Sequence, residues 1–181
     1  MVSMRIRRML SGIAVLLALA GCGDDPSASL DDDEQKAAEA LSVEFQGDNP
    51  SDFTRDVSVC MGKRLVNDVG TDRLIEAGLL NDDLTVNKDR SGIKDSGTAE
   101  EYADAVLACQ DVRGEIESRR DRFPKATDAD VDAYVTCVEA IDDDVLRKAI
   151  VASAMRTIDP STKQFAAETR ACTKKLGPPQ D

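Results

Sequence analysis

Three aspartates at alternate positions, Asp128, Asp130 and Asp132, are followed by Glu139, and carboxylates at these spacings can hold calcium. They match positions 1, 3, 5 and 12 of a twelve-residue calcium loop, and Val135 suits position 8. Ala133 stands where that loop needs a glycine for its sharp turn. The same residues carry an apolar stripe, Val131, Tyr134, Val135, Val138 and Ile141, whose period demands a helix. One segment cannot be both. An acid-rich helix start, favoured by the positive end of the helix dipole, is the stronger reading.

Other chemistry is sparse. A carboxylate pair can cleave a glycosidic bond. With 35 acidic residues, however, pairs arise at any spacing and single out no site. A working acid needs burial or a like-charge neighbour to raise its pKa, and the sequence marks neither. The chain has no histidine. That removes Ser-His-Asp and Cys-His nucleophile systems and the common imidazole metal sites. Ser161 and Lys163 leave a serine–lysine arrangement open, but they read as two polar residues beside a helix start. No catalytic residue and no cofactor is expected.

The N-terminus is more specific. Arg5, Arg7 and Arg8 precede an apolar stretch from Met9 to Ala20. It is too short for a membrane span, which needs about 20 residues, and suits a secretory signal. Leu19-Ala20-Gly21-Cys22 closes it. This resembles the lipobox of bacterial lipoproteins. The resemblance implies cleavage just before Cys22, a diacylglyceryl group on its sulfur, and a mature chain beginning there. The alternative is an ordinary secretory signal followed by a chance cysteine. Lipidation would hold the protein on the extracytoplasmic face of a membrane without spanning it. Removing residues 1–21 takes away three arginines and no acid, so the net charge goes from −12 to −15. Such a surface argues against nucleic acid and against docking on anionic head groups.

With Cys22 assigned to lipid, Cys60, Cys109, Cys137 and Cys172 remain. An even number in an exported chain reads as disulfides, and four cysteines allow three pairings. Cys60–Cys109 with Cys137–Cys172 is favoured because each half then closes on itself. Zinc is the alternative, weakened by the lack of any C-x-x-C pair or histidine.

The elements that would carry these residues all read as helices, and the fold class expected is all-α. Residues 22–31 form a polar tether, 32–177 a helical domain of six or seven helices, and 178–181 a tail. The run Asp31-Asp32-Asp33-Glu34 opens the first helix, with Ala37, Ala38, Leu41 and Phe45 on one face and Gly47 as its stop. Ser51 caps the second, whose stripe is Phe53, Val57, Cys60, Met61 and Leu65. A short helix then runs through Leu74, Ile75, Leu79 and Leu80, and residues 81–97 form a long polar loop. Thr98-Ala-Glu-Glu101 fits a capping box for a helix carrying Tyr102, Ala105, Val106, Cys109, Val112 and Ile116. Further helices open at Thr127 or Asp128, at Asp142-Asp143-Asp144, and at Asp159-Pro160.

Phe53, Tyr102 and Phe165 each precede a cysteine by seven residues. This suggests a duplication, with units at 51–120 and 127–176 each clamped by one disulfide. The six aromatic residues are expected in the core rather than on a stacking platform. The sequence thus points to a lipid-anchored, non-enzymatic module of the cell envelope that interacts with another envelope component, a protein partner included. A small-ligand binding lipoprotein is the second reading, and a peptidoglycan hydrolase using paired carboxylates the third. A large apolar cleft would favour the second.

Overall fold

The computed structural model describes residues 30–48 and 50–179. Its eight α-helices are α1 (Asp32–Gln46), α2 (Asp52–Val69), α3 (Thr71–Glu76), α4 (Ser96–Cys109), α5 (Val112–Ser118), α6 (Asp128–Glu139), α7 (Asp143–Ala154) and α8 (Pro160–Thr173). Short 3-10 turns follow α5 and α8. The described residues contain no strand, only an isolated bridge between Leu80 and Val86. None of their helices is long and apolar enough to cross a membrane.

Side-chain caps define nearly every helix start. Asp31, Ser51, Asp95, Asp111, Thr127, Asp142 and Asp159 each accept a hydrogen bond from a backbone N–H two or three residues on. This satisfies a donor that the helix itself leaves unpaired. Asp31 with Glu34 and Thr127 with Asp130 form reciprocal capping boxes. Gly70, at φ +82°, ends α2 and starts α3 in a conformation that a side chain would resist.

Three local expectations change. The cap of α4 is Asp95, not Thr98. Asp95 accepts from both the Thr98 N–H (2.7 Å) and the Thr98 hydroxyl (2.8 Å), so Thr98 is buried with its hydroxyl satisfied one turn inside the helix. The helix expected to run on through Ile116 breaks at Gln110, whose ψ is 129°, because Asp111 caps a new helix by accepting from the Gly114 N–H. Leu79 and Leu80 lie beyond α3. Gly78, at φ +78°, turns the chain there, and both leucines are buried from the loop. That loop is tied down by Asn87 N–H to the Leu79 carbonyl (3.0 Å) and by Ile93 N–H to the Ala154 carbonyl (2.9 Å).

Two cores result. The first joins α1, α2, α3, the loop and α4, centred on Leu41, Leu65, Val66, Leu74 and Leu80. The second joins α5, α6, α8 and the final 3-10 turn, centred on Val131, Val135, Val138, Cys172 and Leu176. The disulfides are Cys60–Cys109, tying α2 to α4, and Cys137–Cys172, tying α6 to α8, the favoured pairing. The cores do not respect the boundaries of the expected repeat. Ile116 of α5 belongs to the second core, while Val151, Ala154 and Met155 at the end of α7 pack on the first. The reason is that α5 packs on α6, whereas α7 packs on α4 as well as on α8.

Candidate functional site: an apolar groove between the two cores

The sequence candidates do not converge. Residues 128–139 are helix α6, so the calcium-loop reading fails. Asp128 pairs with Arg120 at 2.9 Å, Asp130 closes the capping box on Thr127, and Asp132 pairs with Arg113. Glu139 ends the helix, and at 1.5 Å per residue it lies about 16 Å along the axis from Asp128. Among the described residues no group of three or more His, Cys, Asp or Glu side chains is arranged around a common point for a metal ion. The serine–lysine arrangement also fails to form. Ser161 is buried and donates its hydroxyl to Asp159, while Lys163 is exposed. Cys22 and the residues of the tether up to position 29 lie outside the described residues.

What the fold does assemble is a groove of about 440 Å³ between the cores. Its walls are Phe53, Val57 and Met61 of α2, Tyr102 and Val106 of α4, Leu146 and Ile150 of α7, Phe45 of α1 and Phe165 of α8. A second apolar hollow of about 330 Å³ continues from it, sharing Tyr102, Val106, Ile150 and Phe165 and adding Ala149 and Ala154. Both lie in the size range of small-molecule sites, about 300–1,000 Å³. Thr54 and Ser58 of α2 add hydroxyls to the wall, and the charged groups gather where Gln110, Asp111, Glu115 and Arg119 meet. Three of these are already engaged: Asp111 caps α5, and Glu115 pairs with Arg119 at 3.4 Å.

Four of the six aromatic residues line this groove and are only half buried: Phe45, Phe53, Tyr102 and Phe165. Of the aromatics expected in the core, Phe123 and Tyr134 are buried, while Phe45, Tyr102 and Phe165 pack on a core with part of the ring exposed. Phe45 and Tyr102 meet edge to face, with ring centroids 5.9 Å apart, a favoured aromatic geometry. Burial raises the Tyr102 phenol pKa, opposed by nearby Arg90.

Nothing among protein-family models, curated proteins or solved structures matches this chain. The groove is therefore read from its own geometry.

The geometry begins with small residues on α2. Its core face is Ser58, Gly62, Leu65, Val66 and Val69. Ser58 and Gly62 are one turn apart, and Gly62 lies against Ala38 and Ser42 of α1. With Gly62 held against α1, α2 presents Phe53, Val57 and Met61, together with Ser58, to the groove. The ring of Phe53 in turn rests against Gly114 of α5, where a side chain would collide with it. The sequence carries only part of this signal: Gly62 marks where α2 can pack tightly, but nothing in it tells what the Phe53, Val57 and Met61 row faces.

The carboxylates with displaced pKa values all move in one direction. Asp95, Asp130 and Asp159 are held below the usual carboxylate range by hydrogen bonds from Thr98, Thr127 and Ser161 at helix starts, and Asp83 by Thr85. These shifts belong to caps and turns, and none of the four lines the groove. Arg147, paired with Asp104, links α7 to α4 beside it; that bond raises the guanidinium pKa.

Proposed function

We propose that this chain is an exported, lipid-anchored binding protein of the cell envelope, tethered through Cys22, and that it receives an apolar ligand in the groove between its cores. The observation that carries the reading is the row of half-buried aromatic and aliphatic side chains, contributed by five helices, around a space of about 440 Å³. Apolar surface in such quantity costs free energy when it faces water, at about 25 cal/mol per Å². A bound apolar molecule would recover that cost. Binding rather than turnover is the reading because the walls are largely apolar and the charged residues at the groove's end already serve the fold, as cap and ion pair. The anchor supports the same role by keeping the groove near a membrane, where apolar molecules collect.

The test uses the exported Cys22→Ala chain, so that no detergent competes. N-phenylnaphthylamine, a neutral apolar dye whose fluorescence rises out of water, is expected to brighten on binding. Val57→Glu and Ile150→Glu should each abolish the rise while leaving the far-ultraviolet circular dichroism unchanged. No rise with the parent chain, or a rise that survives in both variants while they remain folded, overturns the reading.

A further inference from the structure

The groove is electrically lopsided. Beside its Tyr102 wall lies a third hollow, of about 220 Å³, whose lining includes Phe45, Tyr102, Ser153, Arg90, Arg156 and Glu44. Tyr102 is common to all three hollows, so the arginine-lined space adjoins the apolar groove directly. Arg90 is held in place there. Its guanidinium donates to Glu44 at 3.2 Å and to the Asn87 carbonyl at 3.1 Å. Arg156 follows the end of α7 and makes no ion pair or side-chain hydrogen bond among the described residues. Two guanidinium groups against one carboxylate leave this end positive. At the opposite end, Asp111 and Glu115 face the single cation Arg119, which leaves that end negative. A positive pocket is conspicuous on a chain with net charge −12.

Resting on the groove reading above, we infer that the ligand is a single-chain anionic amphiphile of the fatty-acid class, its tail along Phe53, Val106, Ile150 and Phe165 and its head at Arg156. Charge complementarity sets the orientation. A carboxylate at the Arg156 end meets guanidinium groups, which bind it through charge-assisted hydrogen bonds. Reversed, the same carboxylate would face Asp111 and Glu115 and be repelled. A head group of this kind also reconciles an acidic protein with an anionic ligand, because attraction is confined to one pocket while the rest of the surface repels.

Displacement of N-phenylnaphthylamine from the Cys22→Ala chain tests this with three competitors: dodecanoate, dodecanol and acetate. Dodecanoate is expected to displace the dye about tenfold more tightly than dodecanol, the scale of one hydrogen bond to a charged group, and acetate not at all. Arg156→Ala should remove the tenfold advantage without weakening dodecanol, and Arg156→Lys should restore part of it. If dodecanol competes as well as dodecanoate, or if Arg156→Ala leaves the advantage intact, the head assignment is overturned while the groove reading stands. If the dye itself does not bind, both fall together.

Discussion

Gly62 of α2 lies directly against Ser42 of α1. A methyl group added at Gly62 would collide with the Ser42 hydroxyl and sit 2.6 Å from the Ala38 carbonyl oxygen. That hydroxyl already donates to the Ala38 carbonyl at 2.6 Å, and both neighbours are buried. The backbone carbonyl cannot swing aside, so the helices must separate. Gly62→Ala gains about 1 kcal/mol in helix propensity but is expected to lose more through overpacking, typically about 1–3 kcal/mol. Urea unfolding should show a lower midpoint. Adding Ser42→Ala should recover only part of the loss, because the carbonyl remains. A midpoint unchanged by Gly62→Ala would mean that α1 and α2 are not packed this closely.

Much of this fold was legible because its helices begin on side chains that announce themselves. Ser51, Thr127, Asp142 and Asp159 are caps where the sequence places them, and every residue of the α6 stripe is buried. The disulfide pairing followed from closing each half on itself. The groove was not legible, for a physical reason. Periodicity tells that Phe53, Val57 and Met61 share a face, but not whether that face meets another helix or a gap. The packing of Gly62 against α1 and the Cys60–Cys109 link to α4 hold the rotation of α2. Nor does periodicity show that α7 packs on both α4 and α8, since that depends on which helices the fold brings beside it.

The disulfides should carry a large share of the stability. Cys60–Cys109 spans 49 residues and Cys137–Cys172 spans 35. Loop entropy assigns each link about 4 kcal/mol, against a typical total of about 5–15 kcal/mol for a whole domain. Replacing either pair with serine should lower the unfolding midpoint sharply. The double replacement should leave the chain largely unfolded at 37 °C. Thiol labelling of the unfolded, unreduced Cys22→Ala chain should find no free cysteine, and two labels per molecule would discard one of the links.

Acid should weaken the protein through its helix caps. Asp95, Asp130 and Asp159 have folded pKa values below the unfolded value of about 3.9. Between the two values the unfolded chain holds more protons, so stability rises with pH there. Their contribution is complete above about pH 4 and is lost as pH falls through the lower folded values. Relief of repulsion among the many other acids acts in the opposite sense. Asparagine caps a helix nearly as well as aspartate but does not titrate. The Asp95→Asn/Asp159→Asn chain should therefore show a shallower fall in melting temperature below pH 4. A fall as steep as the parent's would remove the caps as its cause.

Calcium should have no effect on α6. Its carboxylates are distributed along a helix, with Asp132 on Arg113, Asp128 on Arg120 and Asp130 in the cap. Binding would require breaking these links and unwinding a helix whose opposite side is buried in the second core. Calorimetric titration to millimolar calcium should give only heats of dilution, and the melting temperature should not move. Arg113→Ala removes the partner of Asp132 and is the variant in which a latent site would be easiest to expose. Saturable heat in either chain would contradict the helical arrangement.

The proposed anchor makes the last prediction, and it concerns Cys22, which lies outside the described residues. The signal-like stretch before it is too short to span a membrane, and the described helices offer no substitute. A diacylglyceryl group contributes about 0.8 kcal/mol for each buried methylene, and two chains hold durably where one binds reversibly. Membrane retention should thus depend on one sulfur. Cys22→Ala is expected to move the protein into the soluble exported fraction with both disulfides intact. Cys60→Ala with Cys109→Ala should leave it in the membrane fraction. Retention of the Cys22→Ala chain would mean that another surface holds it there. Exposed apolar side chains such as Val43 and Ile158 would then be the first residues to test.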